Sequence, residues 1–345
     1  MKNILLLLLF CVLISCKNEK SSNTYSYNLK ASEIIKSFVL DSDVKYNAFY
    51  LYTFSDDKGK EYLTFLNYRT NQILFYDLET TDFLFKLNLN SEGPHGVVQP
   101  TGLYVKDLNH IYVSSYVYSG LMRVDTTCHI IQKIPYGITS KGYNVLPSYT
   151  PSSHPYIAPV IIDKKIYITQ NAIDRFHPIV DTPLSVVIDT VQKSCEDLPL
   201  TYGILTEKEL AIKDPRFSRV FNGKEFIYSF YVSEDIVVTS VDHSEVKKIS
   251  VKSKYLDSPI VKQEVSERGP QLNLELARYG DLIYDPYREV YYRFVYPKTT
   301  LEDNIRWWGK SVYGRKKFSV IILNKDFQII GETLFPESIY NSYVF

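Results

Sequence analysis

Cysteine is scarce in this chain, with four residues in 345. Two of them, Cys11 and Cys16, fall within the first sixteen residues, so Cys128 and Cys195 are left for the body of the protein. A scaffold built on disulfides would need many more cysteines. In an oxidising compartment Cys128 and Cys195 could form one disulfide, and the alternative is two buried, unpaired thiols.

An excess of charge is missing as well, because 39 Lys and Arg residues balance 39 Asp and Glu residues. A nucleic-acid-binding protein would show a basic field, so we expect no nucleic-acid partner. The six histidines never pair at the spacing of metal ligands and no Cys-x-x-Cys occurs, so we predict neither a metal site nor a cofactor. The Gly-x-Ser-x-Gly turn of α/β-hydrolases is also absent. These absences disfavour an enzyme without excluding one, because a site assembled from several repeats leaves no linear motif.

Apolar runs long enough to span a bilayer are absent, and the most apolar stretch lies at the N-terminus. It follows Lys2 and ends in Leu13-Ile14-Ser15-Cys16, which resembles a bacterial lipobox. We therefore predict a signal peptide over residues 1–15, acylation of Cys16 with palmitate among the acyl chains, and a lipidated tether over residues 16–24.

The predicted location follows from this N-terminal segment. Removal of residues 1–15 deletes Lys2 and leaves 38 basic against 39 acidic residues, a net charge of −1. Such a chain has no electrostatic reason to approach an anionic membrane, so membrane attachment would depend on the lipid alone. We expect a lipid-anchored protein of the bacterial outer membrane that faces the periplasm or the cell surface.

Long helical periodicity is also nearly absent, and the short helical candidates are Ser32 to Phe38, Glu207 to Ile212 and Leu272 to Arg278. The 30 Tyr and 18 Phe residues favour strands instead. A strand ending in Asp or Asn before a tight turn recurs five times, at Asp77, Asp125, Asp189, Asp242 and Asn324. An aliphatic residue followed by Tyr precedes the last four, at Ile111-Tyr112, Ile166-Tyr167, Ile227-Tyr228 and Val290-Tyr291.

Each repeat therefore contains two hairpins, which predicts an all-β propeller of four-stranded blades in a single domain over residues 25–345. The five blades predicted are residues 46–90, 100–136, 156–201, 217–252 and 278–336. We predict a sixth blade, closed by the N-terminal strand and incomplete at the C-terminus. A ring of five blades is the alternative.

The long connections fall at one end of such a propeller, because turns within hairpins and connections between hairpins lie at opposite ends of a blade. We predict that this end contacts a ligand or partner. Its candidate residues are the histidines, arginines and tryptophans of the long loops: His95, His154, Arg175, His177, Arg216, Arg268, Trp307 and Trp308. Trp307 and Trp308 could stack on a sugar, anchor a partner protein or simply pin their own loop to the blade.

Two motifs, Glu92-Gly93-Pro94-His95-Gly96 and Val290-Tyr291-Tyr292-Arg293-Phe294, make the chain similar to a known family. It resembles the TolB-like six-bladed β-propeller lipoproteins of Bacteroidetes, and among them the domain-of-unknown-function 4221-like family. The resemblance implies a fold and a location, but no catalytic residues, since that family has no established activity.

Two functions remain open. The first is a membrane-anchored binding or scaffolding propeller whose partner is an envelope protein or a glycan. The second is an envelope enzyme acting on carbohydrate or peptide, with His95, His154, His177 or Arg216 in a central funnel.

Overall fold

The computed structural model describes residues 26–40, 44, 51–67, 69–94, 96–115, 117–139, 157–170, 179–212, 214, 216–256, 276–299 and 316–340. These residues form a β-propeller of five four-stranded antiparallel blades. The strands are, in blade one, β1 (Tyr52–Ser55), β2 (Glu61–Asn67), β3 (Gln72–Asp77) and β4 (Phe83–Asn88); in blade two, β5 (Pro100–Asp107), β6 (His110–Ser115), β7 (Tyr118–Val124) and β8 (Ile130–Pro135); in blade three, β9 (Val160–Ile162), β10 (Lys165–Thr169), β11 (Ser185–Asp189) and β12 (Ser194–Asp197); in blade four, β13 (Phe217–Phe221), β14 (Phe226–Phe230), β15 (Asp235–Thr239) and β16 (Val246–Ser250); in blade five, β17 (Arg278–Asp285), β18 (Val290–Tyr296), β19 (Phe318–Leu323) and β20 (Ile329–Phe335).

The repeated Asp and Asn residues form the turns between the third and fourth strands, as predicted. The Asp77 carboxylate accepts hydrogen bonds from the backbone N–H groups of Glu79 and Thr80, at 2.9 and 3.0 Å. Asn324 does the same for Asp326 and Gln328. Each side chain replaces backbone partners that a tight turn cannot supply, so these residues mark the turns already in the sequence.

Consecutive blades are held together by four apolar clusters, each with members from two neighbouring blades. The pairs that share a cluster include Phe75 and Val113 for blades one and two, Leu121 and Ile188 for two and three, Val187 and Phe226 for three and four, and Ile227 and Ile321 for four and five. Burial of these alternating apolar faces between neighbouring sheets is the main source of stability in such a ring.

The prediction of a sixth blade is wrong, and the alternative of five blades is correct. The N-terminal segment within the described residues does not begin a new sheet. Tyr27 instead forms a parallel bridge with Gly331 on the free edge of β20, and its N–H donates to the Ile330 carbonyl at 3.2 Å. The Leu29 N–H donates to the Thr333 hydroxyl at 2.7 Å. The outer edge of blade five is thus partly covered by a short strap, which pairs some of its exposed backbone groups.

This N-terminal strap, residues 26–40, continues from blade five to blade one. Lys36 Nζ donates to the Leu78 carbonyl at 2.5 Å, and the Tyr76 hydroxyl donates to the Val39 carbonyl at 3.1 Å. The Phe38 ring meets the Tyr76 ring edge-on at 5.7 Å. The strap therefore joins the last blade to the first.

The three short helices predicted from the sequence have different outcomes. A helix, α1 (Glu207–Ala211), forms where one was predicted, with Thr206 and Glu209 as its capping box. Residues 32–38 are not helical, so that prediction is wrong. Arg278, the end of the third helical candidate, begins β17.

The two remaining cysteines do not form a disulfide. Cys128 and Cys195 are both free and half-buried, so the alternative of packed thiols is correct. Burial raises the pKa of both, that of Cys195 to about 12. Among the helices of the described residues, none is long and apolar enough to cross a membrane.

Candidate functional site

Arg216 is the one candidate residue from the sequence that the structure describes. The other seven lie outside the described residues, as does Cys16: His95, His154, Arg175, His177, Arg268, Trp307 and Trp308. Arg216 immediately precedes β13, at the end of blade four where the long connections lie. The residues around Arg216 therefore lie at the long-connection end of the propeller.

The first strands of blades one, two, four and five are the innermost ones, because β1 contacts β5 and β13 contacts β17 across neighbouring blades. The start of a first strand and the end of a second strand lie at the same end of an antiparallel blade, with the long connections. Side chains at these strand ends therefore surround the mouth of the ring on the long-connection side.

A row of alternating cations and tyrosines occupies this mouth at blades four and five. We call it the cation–tyrosine row, and its members in spatial order are Arg216, Tyr231, Arg278, Tyr296 and Lys316. The guanidinium carbons of Arg216 and Arg278 lie 5.1 and 5.3 Å from the centre of the Tyr231 ring. Arg278 lies 4.9 Å from the Tyr296 ring, and Lys316 Nζ lies 6.0 Å from it. Cation–π attraction holds such a row together.

The backbone fixes this alternation. The Tyr231 N–H donates to the Arg216 carbonyl at 3.1 Å, and the Tyr279 N–H donates to the Tyr231 carbonyl at 3.0 Å. Arg278 and Tyr296 are register partners on β17 and β18. Blades four and five are thus bonded to one another at the mouth itself, and the side chains meet because their backbones do.

Two carboxyl groups accompany the row, and their pKa values shift in opposite directions. Burial alone would raise the pKa of Asp214, but two hydrogen bonds from the Arg216 guanidinium, at 2.7 and 2.6 Å, outweigh it and lower that pKa. Burial raises the pKa of Asp281, against the hydrogen bond that the Tyr231 hydroxyl donates to it and the charges of Arg278 and Arg216. The Asp281 residue keeps partial exposure while its carboxyl is enclosed by protein.

Two fully buried arginines are residues that sequence reasoning missed. Arg293 on β18 donates to backbone carbonyls of blade four, among them Ser233 and Glu234 at 2.7 Å each, and its Nε donates to the Ser229 hydroxyl at 3.0 Å. Its guanidinium lies 4.0 Å from the Tyr279 ring. Arg293 therefore joins blade five to blade four, and it supplies the donor for the carbonyl of the buried Ser233.

Arg219 plays the corresponding part between blades three and four. It donates to the Ser185 hydroxyl at 2.8 Å and to the Tyr167 carbonyl at 3.0 Å. Ser185 and the Tyr228 hydroxyl are 2.7 Å apart, and Tyr228 in turn bonds His243. Burial and then the charge of Arg219 lower the pKa of His243 to about 4, so its imidazole is neutral at pH 7.

A sequence signal for these arginines exists in strand alternation. Tyr291, Arg293 and Val295 point to one face of β18, and all three are buried. An arginine that alternates with buried residues on one face of a strand predicts a buried guanidinium. The sequence around Arg293 shows this alternation. For a metal, by contrast, the described part of the chain offers no cluster of three or more suitable ligands.

Residues 26–334 match the model of a family described as a domain of unknown function, DUF4221. The chain belongs to this family. A crystal structure of a DUF4221 member from Bacteroides vulgatus has a TM-score of 0.70 at 24% identity, and the match covers 87% of this chain and 84% of that one. No curated protein sequence matches this chain.

A second solved structure extends the DUF4221 comparison. It is a protein of Bacteroides fragilis that is predicted to be exported, with a TM-score of 0.51 at 10% identity, over 87% of this chain and 74% of the other. These likenesses support the propeller fold. The broader TolB-like classification of this DUF4221 chain stays a prediction.

Proposed function

We propose that this DUF4221 protein is an exported, lipid-anchored binding propeller that holds a ligand of the cell envelope at its long-connection mouth. The observation that carries the proposal is the cation–tyrosine row. Three cations brought together by strand ends of two blades form a prepared surface for recognition, because contacts with the Tyr231 and Tyr296 rings already order their side chains before a ligand arrives. The ligand would be a glycan or an envelope protein.

The anchor is the second part of the proposal and rests on Leu13-Ile14-Ser15-Cys16. Labelling cells with a radioactive fatty acid tests it. The chain should incorporate label and fractionate with the outer membrane, and Cys16→Ala should abolish both. Unchanged labelling of Cys16→Ala would refute the anchor and leave the binding proposal standing.

Binding is tested with the purified exported chain and a soluble glycan fraction of the envelope, by biolayer interferometry. Arg216→Glu combined with Lys316→Glu places two negative charges at the mouth. Lys164→Glu combined with Lys193→Glu makes the same charge change at the opposite end of blade three, in turns between strands. Loss of binding in the first pair and retention in the second supports the proposal, and equal binding by both pairs contradicts it.

An enzyme acting on carbohydrate or peptide is the second candidate. The observation that favours it is the pair of carboxyl groups at one mouth with opposite pKa shifts, Asp281 raised and Asp214 lowered. Environments that separate two carboxyl pKa values are typical of acid–base pairs. Release of reducing sugar or new amines from envelope polymers, abolished in Asp281→Asn, would support this candidate, and an unaffected rate would contradict it.

A further inference from the structure

Arg216 and Arg278 occupy equivalent places in blades four and five. Each is followed by an aromatic residue, Phe217 or Tyr279, at the start of the first strand. Each guanidinium lies against the same ring, that of Tyr231. The two arginines are therefore two copies of one structural position, and their partners can be compared directly.

The partner of Arg216 is a carboxylate. Asp214, two residues earlier, accepts hydrogen bonds from Nε and from a terminal nitrogen of Arg216, which is the bidentate geometry in which arginine binds carboxylates. The chain thus shows what a guanidinium at this position binds.

Arg278 has no such partner. Two residues before it stands Leu276, which has no acceptor on its side chain. Within the described residues, the guanidinium of Arg278 makes ring contacts with Tyr231 and Tyr296 and no hydrogen bond. The nearby Asp281 carboxyl accepts from the Tyr231 hydroxyl instead. A half-buried guanidinium presents five N–H donors, and leaving them unmatched is costly.

We infer that Arg278 is the anion-binding residue of a ligand site at this mouth, and that the ligand carries a carboxylate. The inference rests on the proposed binding function and names its chemistry. The carboxylate takes the place beside Arg278 that Asp214 takes beside Arg216.

The charge of the mouth favours a monoanion. Arg216, Arg278 and Lys316 contribute three positive charges, and Asp214 and Asp281 contribute two negative charges when ionised. Among the described residues of the mouth, and with both aspartates ionised, one ligand carboxylate neutralises the remaining positive charge, whereas a dianion such as sulfate would overcompensate it. The flat guanidinium fork also matches a planar carboxylate. The carboxylate can belong to a sugar acid or to a simple organic acid.

Isothermal titration of the purified exported chain tests this, with galacturonate as the sugar acid, galactose as its uncharged counterpart, and acetate as the simple acid. We expect saturable binding of galacturonate and none of galactose. Arg278→Gln should weaken galacturonate at least about tenfold, or about 1.4 kcal/mol. Arg278→Lys, which keeps the charge and loses the fork, should also weaken it.

Arg288→Gln is the matched control, because it removes the same charge from the same blade at a solvent-exposed position. It should bind galacturonate as the native chain does, and a shared thermal midpoint of all variants shows that they are folded. If acetate displaces galacturonate, the carboxylate alone is recognised. If it does not, the sugar ring also contributes to binding. Both results support the site.

The inference would be overturned by the absence of saturable binding of galacturonate and acetate, or by galacturonate binding that Arg278→Gln leaves unchanged. Equal binding of galactose, or tighter binding of sulfate than of acetate, would also overturn it. The broader proposal is judged separately. If the envelope glycan fraction still binds and Arg278→Gln leaves that binding unchanged, the carboxylate site fails while the binding propeller stands.

Discussion

The Tyr228 hydroxyl donates to Nε2 of His243 across 2.5 Å inside blade four. The direction of this bond follows from the other ring nitrogen, since Nδ1 of the neutral imidazole lies 3.2 Å from the Val241 carbonyl and must carry the hydrogen. The Tyr228 oxygen then accepts from Ser185, which accepts from Arg219. The neutral form of His243, with its hydrogen on Nδ1, therefore fits a chain of hydrogen bonds that joins blades three and four.

This arrangement predicts that acid destabilises the protein through His243. Its pKa is lowered to about 4 in the folded state, against about 6.5 when unfolded, so the unfolded chain binds the extra proton between these values. The stabilisation is complete above pH 6.5 and is lost as the pH falls towards 4. At about 1.4 kcal/mol per pKa unit, it amounts to roughly 3 kcal/mol.

Urea unfolding at pH 7.5, 6, 5 and 4 measures this, with His243→Asn as the comparison. Asparagine tolerates the left-handed backbone at this position, where φ is +60°, and does not titrate. The variant should lose less stability than the native chain over this range. If the free energy of unfolding falls equally with pH in both proteins, His243 is not the group that destabilises the protein in acid.

Replacement of Arg293 should separate blades four and five. Arg293→Met keeps much of the apolar stem but removes the donor to the buried Ser233 carbonyl and the bond to the Ser229 hydroxyl, so we expect a loss of about 1–3 kcal/mol in the free energy of unfolding. Arg288→Met removes a guanidinium that is 72% exposed, so it should change stability little. Equal effects of the two substitutions, measured by urea unfolding, would show that Arg293 does not join the blades.

A single methyl group should displace the N-terminal strap. A Cβ atom at Gly331 would lie 2.2 Å from the Tyr27 carbonyl oxygen, so Gly331→Ala should push the strap off β20 and cost about 1–3 kcal/mol. Trypsin should then cleave faster at Lys30 and Lys36. Gly137→Ala, with no atom within 4 Å of the added carbon, is the control and should be cleaved as the native chain is. Unchanged cleavage of Gly331→Ala would count against the strap.

The two thiols should react slowly in the folded protein. Burial raises the pKa of Cys195 to about 12 and also raises that of Cys128, so few thiolates exist at pH 8. In a chain that begins at residue 17, and so lacks Cys11 and Cys16, a thiol reagent should count two groups after urea without any reductant. Cys128→Ser should leave the slower one. A count of zero before reduction would indicate a disulfide.

Much of the propeller was predictable because its signals are local. Asp77 and Asn324 bond backbone groups two to four residues away, so their turns are recognisable in the sequence. Residues 278–336 were predicted as blade five, and its strands run from Arg278 to Phe335. A turn that depends on its own neighbours leaves a trace in any single sequence.

The sequence predicted a closing N-terminal strand but not the blade that it joins, because Tyr27 pairs with Gly331 across most of the chain and through few hydrogen bonds. The cation–tyrosine row was also not predictable from the sequence. Arg216 was a candidate because it ends a long loop, yet Arg278 and Tyr231 belong to strand ends that only the packing of blades four and five brings together. Sequence periodicity assigns a residue to a face of its strand, not to a neighbour from another blade.

The N-terminal strap also determines how mechanical force would enter the protein. If a lipid holds Cys16, any pull between membrane and propeller reaches the ring first at Tyr27, on the edge of the last blade, and then at Phe38, on the first. Tension is thus shared between the two blades that begin and end the circle. A ligand that pulls on the propeller, while the lipid holds the strap, would therefore put force on the junction of blades one and five.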